Sequence, residues 1–199
     1  MQFRLTYDGE LLGASRSDTR AKHKEQIRRI FSHQLKHLFK MSPRLRKMLV
    51  RETEWVGRNR RVTHFSDVEA LGNKFRMGNL LCVPLATEAL DLTCGLEILF
   101  LQPDYPGMSL VRSGDLDNRL KTIFDALRRP LNMEEICGGI PAEEVPVFCL
   151  LEDDKFITHL SVTTDLLLEP NSDANHVRLV IKVTLLPNAI TDSNVHLAL

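Results

Sequence analysis

Asp115, Asp117, Lys121 and Asp125 lie within the run Gly114-Asp115-Leu116-Asp117-Asn118-Arg119-Leu120-Lys121-Thr122-Ile123-Phe124-Asp125-Ala126-Leu127. Carboxylates held that close raise each other's energy at neutral pH unless a proton or a cation sits among them. In an extended backbone, Asp115 and Asp117 project to the same face, so the pair is a candidate cation site. From Asn118 onward the spacing changes. Leu120, Ile123, Phe124 and Leu127 fall at i, i+3, i+4 and i+7, the buried stripe of a helix. Asn118 is its expected N-cap, and Asn118, Lys121 or Thr122, and Asp125 share the opposite face. A second acidic cluster, Glu152-Asp153-Asp154, precedes the strand-like run Phe156 to Leu168. The plain alternative is a surface helix whose acidic first turn is favoured by the helix dipole.

Other elements must position these groups. Residues 1–12 alternate loosely and predict a first strand pair, with a hairpin turn at Tyr7-Asp8-Gly9-Glu10. Thr19 to Lys40 carries the longest helical stripe, with Ile27, Ile30, Phe31, Leu35, Leu38 and Phe39 apolar and basic residues around it. Ser42-Pro43 ends that helix. A basic stretch follows with Trp55 in its midst, and residues 41–77 read as an insertion. Leu80 to Leu85 and Leu90 to Leu101 predict strands, the second leading to the motif. After Leu127, residues 129–147 read as a second, loop-like insertion. Val147 to Leu150, Asp154 to Leu168 and Val177 to Leu186 predict further strands, and residues 188–199 a tail. His33 and His37 share a helix face without a third ligand nearby, which makes them surface or partly packed histidines.

The string Gly-Asp-Leu-Asp-Asn-x-x-Lys-x-x-x-Asp-Ala-Leu, with Asp-Asp later at the head of a strand, resembles the RusA-like Holliday junction resolvases. The resemblance rests on residues 112–127 and 151–162. It implies a small, dimeric, magnesium-dependent endodeoxyribonuclease of bacteria and their prophages, acting in DNA recombination and repair on four-way junctions. It places the catalytic Asp-x-Asp at Asp115 and Asp117, the catalytic lysine at Lys121 and the third metal-binding aspartate at Asp154. Asp153 is a further metal neighbour, with Asp125 and Asn118 in the surrounding shell. The fold expected is α+β, one domain over residues 1–199 with a small mixed sheet flanked by helices. The chemistry fits the residue types: hard carboxylate oxygens suit Mg²⁺, with Mn²⁺ able to substitute, and a bound ion activates water and offsets charge on phosphate. The chain departs from the family at its N-terminus and in the two insertions. A flap or single-strand nuclease, or a catalytically silent DNA-binding module on the same fold, is therefore also open.

Charge is distributed in keeping with a nucleic-acid partner. Lys plus Arg equals Asp plus Glu at 26 each, yet residues 1–76 hold 18 basic against 8 acidic residues and residues 77–199 the reverse. A basic half is the electrostatic footprint of phosphate binding. Arg20, Lys24, Arg28, Arg44, Arg46, Lys47, Arg58, Arg60 and Arg61 are the expected DNA contacts. Trp55 is a packing anchor or a base-stacking ring. With 43% hydrophobic residues the chain can bury a sizeable core. No run reaches the ~18 apolar residues of a membrane span. The N-terminal residues lack a signal-peptide core, and Cys82, Cys94, Cys137 and Cys149 lack zinc spacing, which together predict a cytosolic protein with free thiols.

Overall fold

The computed structural model describes residues 1–13, 18–50, 53–56, 60–63, 66–103, 116–136, 141–169, 173, 175–191 and 194–198, with backbone alone at 18–20, 53–56, 60–63, 196 and 198. Alternating inward side chains build its larger sheet. β1 (Gln2–Glu10) buries Leu5 and Tyr7, β6 (Leu92–Gln102) buries Leu92, Cys94, Leu96, Ile98 and Phe100, and β9 (His176–Pro187) buries Val177, Leu179, Ile181, Val183 and Leu185. Each large aliphatic side chain removed from water contributes about 1.5–3 kcal/mol as an upper bound. With β8 (Ile157–Leu166) the strand order is β1-β9-β6-β8. The first three strands run antiparallel, and β8 is parallel to β6.

The expected hairpin at residues 7–10 does not form. β1 runs straight through it and pairs with β9 from Gln2↔Thr184 to Glu10↔His176. Leu5 and Tyr7 both face inward, and a turn there would expose them.

A second, three-stranded sheet has the order β4 (Arg76–Met77), β5 (Leu80–Ala86), β7 (Val147–Leu151). β5 and β7 are parallel and almost wholly buried, as parallel strands covered on both faces are. Pro84 fits inside β5 because β4 pairs with Leu80 and Leu81 alone and needs no amide from residue 84. Gly78, with φ 58°, makes the tight β4–β5 turn in a conformation that a side chain disfavours. Between Lys47 and Ser66, β2 (Thr53–Val56) and β3 (Arg60–Thr63) pair as an antiparallel ribbon.

Helix α1 (Asp18–Met41) joins the two sheets. Its stripe Ile27, Phe31, Leu35 and Phe39 is buried. Phe31 lies 6.3 Å from Tyr7 of β1 and Phe39 lies 4.7 Å from Phe148 of β7, centroid to centroid. Ser42 caps α2 (Pro43–Lys47), where proline at the first position suits a helix start. α3 (Asp67–Lys74) opens with a reciprocal Ser66–Glu69 capping box. α4 (Leu116–Leu127) is the motif helix. The C-terminal residues are docked in part: Leu197 of α5 (Val195–Ala198) is buried, and Asn194 donates to Leu90 O and Ala189 O at 2.8 and 2.9 Å. The architecture is mixed α+β with two mixed sheets, and no helix among the described residues is long and apolar enough to cross a membrane.

Candidate functional site

α4 carries the motif as its spacing predicts. Leu120, Ile123, Ala126 and Leu127 are buried, Phe124 is half-buried, and Lys121 is exposed. The start differs from expectation. Helix begins at Leu116, so Asp117 is exposed in the first helical turn and does not stand on a strand. Asn118 is likewise inside the helix and is not its N-cap. Two tertiary contacts fix this register. Thr122, 1% exposed, donates its hydroxyl to Leu12 O at 2.9 Å just past β1, and Arg119 donates to Asn175 at 3.2 Å. Gly13 also leaves room for the helix, since a side chain there would come within 3.3 Å of the Asn118 Cβ. Asp117 and Lys121 are one turn apart on the exposed side of this helix, at the spacing where side chains are neighbours. Asp115 lies outside the described residues.

The second acidic cluster docks elsewhere. Arg129 N, just beyond the end of α4, donates to Leu151 O at 2.9 Å. Glu152, Asp153 and Asp154 follow that residue directly. They are therefore beside the far end of α4, while about 16 Å of helix rise separates Asp117 from Arg128 at 1.5 Å per residue. Glu152 is occupied in the fold: its carboxylate accepts from the Thr87 hydroxyl and from Glu88 N, tying the β5–β6 turn to β7. Asp153 caps a single 3₁₀ turn, Asp154–Phe156, by accepting from Lys155 N at 3.1 Å. That amide, with smaller help from the Asp154 side chain and the charges of Lys155 and Arg128 against a desolvation cost, holds the Asp153 carboxyl below its ordinary range. Asp154 is exposed within the turn, ahead of β8.

Asp125, expected near a metal, faces cations of the protein instead. Its carboxylate meets Lys24 at 3.2 Å and Arg128 at 3.0 Å. Arg128 also pairs with Glu135 at 3.1 Å. Arg28, expected on a DNA-binding surface, is 1% exposed: it pairs with Glu25 at 2.7 Å and Glu135 at 3.3 Å, and donates to Asp125 O at 2.9 Å. An unpaired charge cannot remain in such an interior, so Arg28 and Lys24 serve as links between α1 and α4. Sequence reasoning missed this network because its partners are about a hundred positions apart in the chain.

Arg44, Arg46 and Lys47 are exposed on and around α2, with Lys40 exposed at the end of α1. Arg58 lies outside the described residues, and the side chains of Arg20, Trp55, Arg60 and Arg61 are not described. His33 and His37 are exposed, and Cys82, Cys94 and Cys149 are buried free thiols, while Cys137 is outside the described residues.

The carboxylates are of the right chemical type for Mg²⁺, but the described ones do not converge. Among the described residues no group of three His, Cys, Asp or Glu side chains is placed to hold a metal ion. Asp117 and the Asp153–Asp154 pair belong to opposite ends of α4. No family model, curated protein or solved structure matches the chain.

Proposed function

We propose that this chain is an endodeoxyribonuclease that cuts branched DNA, resolving four-way junctions by paired nicks as a homodimer, with Mg²⁺ as its cofactor. The observation that carries the reading is the exposed pair on α4: a carboxylate, Asp117, and an ammonium, Lys121, one turn apart at the start of a helix. Free amides at a helix start attract anions, and Lys121 adds a point charge to any phosphate lying across them. Asp117 supplies an oxygen that orients water or a cation at that phosphate. Arg44, Arg46 and Lys47 offer backbone-phosphate contacts elsewhere on the surface. The described acids do not by themselves complete a three-carboxylate magnesium site.

A second reading has its own support. Asp125, Glu152 and Asp153 all have structural partners, as the acids of a catalytically silent DNA-binding module would.

Cleavage of a labelled mobile four-way junction separates the two, run with Mg²⁺, with EDTA, and with Asp117→Asn, Lys121→Ala and Asp154→Asn. Linear duplex, flap and single-strand DNA are the controls. Symmetric metal-dependent nicking of the junction, reduced about 10²-fold or more by Asp117→Asn, is expected of the nuclease. Tight junction binding with no cut in Mg²⁺ or Mn²⁺ identifies the silent module. Cutting of flaps alone keeps the chemistry and changes the substrate.

A further inference from the structure

Residues 131–146, most of the insertion that follows α4, contain four glutamates and no lysine, arginine or histidine. They form two short 3₁₀ turns against α1, Met133–Glu135 and Ala142–Glu144. None of their described side chains is buried, and polar contacts tie them to the helix. Glu135 anchors the inner turn through Arg28 at 3.3 Å and Arg128 at 3.1 Å. The outer turn rests on a single ridge of α1. Arg29 forks onto Glu144, with Nε donating to Oε2 at 2.8 Å and Nη2 to Oε1, and Lys36 Nζ donates to Glu143 O at 3.1 Å. Arg29, His33, Lys36 and Lys40 fall at i, i+4, i+7 and i+11 and so share a helix face. His33 and Lys40 are exposed, and the Arg29 side chain is 42% exposed. The Arg29 hydrogen bond holds the Glu144 carboxyl below its ordinary range against a desolvation cost, with help from the charges of Arg29, His33 and Lys36.

We propose that this ridge of α1 binds the phosphate backbone of nucleic acid, and that the Ala142–Glu144 turn is an acidic strap that occupies it until phosphate displaces the strap. The inference rests on the DNA-binding reading above and not on cleavage. The oxygens already on the ridge are of the kind it would accept from a backbone. A carboxylate on a guanidinium fork offers two oxygens side by side, as the non-bridging oxygens of a phosphodiester do. The Glu143 carbonyl gives Lys36 a further acceptor, a place that another phosphate oxygen can take. Two features favour the exchange. A single partly exposed ion pair is weak, whereas nucleic acid binds with counterion release at every phosphate that is neutralised. The ridge also leads from Lys40 to the exposed Arg44, Arg46 and Lys47, so a backbone that replaces the strap meets further cations. The Glu135 anchor keeps the segment attached while its outer turn moves.

Fluorescence anisotropy on the full chain with a labelled four-way junction tests this, at about 50 mM salt where phosphate contacts are strong. Glu144→Gln should tighten binding about two- to fivefold, the worth of a partly exposed ion pair. Arg29→Gln should weaken it, and in that background Glu144→Gln should lose most of its effect, because the two side chains act as a pair. Hydrogen exchange read by mass spectrometry supplies a second measure. Residues 142–145 should exchange faster when the junction is added. In the free protein they should also exchange faster as salt rises from about 50 to 500 mM, since screening loosens such pairs. β5 and β7 should stay protected throughout, which separates release of the strap from unfolding. Junction binding by the parent that Glu144→Gln leaves unchanged or weakens overturns the strap and keeps the DNA reading. Strap protection that the bound junction does not lower has the same meaning. No junction binding by the parent or by Glu144→Gln overturns both. Binding by Glu144→Gln alone supports both, with the strap as the block in the parent.

Discussion

Individual carboxylates in this protein have separate physical roles that their clustering in sequence conceals. Asp117 is exposed at a helix start, Asp125 is neutralised by Lys24 and Arg128, Glu152 ties a turn, and Asp153 caps one. The cap has a pH consequence. The Lys155 amide holds the native Asp153 carboxyl below its usual value of 3.8, so the unfolded chain takes up the proton more readily. Its stabilisation is fully present above that usual value and is lost as pH falls through the lower native one. Carboxyl ¹³C NMR titration should place the Asp153 midpoint below that of an unpaired aspartate. A midpoint at or above 3.8 would refute the capping account. Asp8 is depressed for a different reason, the Arg178 guanidinium at 2.6 Å with His176 at 2.7 Å.

At the scale of elements, α1 and α4 are joined by charge as well as by apolar packing. Arg28 is the centre of that joint, with Glu25, Glu135 and the Asp125 carbonyl around it. Removing a buried charge from such a group leaves its partners uncompensated, at a cost of about 3–5 kcal/mol. Arg28→Met should therefore lower the urea midpoint by that equivalent, whereas Arg44→Met, on the surface, should change stability by under ~0.5 kcal/mol. Equal small effects would show that Arg28 does not hold the joint together. The helical stripe of α4 was legible from four apolar positions, because 3.6-residue periodicity is local. The helix start was not. Asn118 has the chemistry of a cap, but the contacts of Thr122 with Leu12 and of Gly13 with Asn118 draw the helix back to Leu116.

For the whole molecule, the split of charge between the two halves bears on the proposed DNA binding. The basic residues free to meet a phosphate partner are fewer than the count in residues 1–76 implies, since Arg28 is buried, Lys24 is paired, and Arg29 pairs with Glu144. Arg44, Arg46 and Lys47 remain exposed. Fluorescence anisotropy on a four-way junction should give affinity that falls steeply with salt. Replacing these three with alanine should reduce the slope of log K against log salt by about 0.9 for each phosphate that is no longer neutralised. An unchanged slope would place the DNA elsewhere on the protein.

Alternation in β6 and β9 and the stripes in α1 and α4 follow from the sequence by itself, because the apolar faces must be buried wherever the elements end up. The α+β class follows from them. The identity of the neighbours was left to the tertiary structure. Residues 7–10 have turn chemistry, yet they extend because β9, nearly 170 positions away, supplies a full ladder. The family resemblance joined Asp117 and Asp154 in one metal site; the docking of β7 at the end of α4 puts them at its two ends. Hydrophobic periodicity specifies which side of an element faces in. Ion pairs, helix register and strand partners depend on groups brought together by chain folding, and those distances are not written in local spacing.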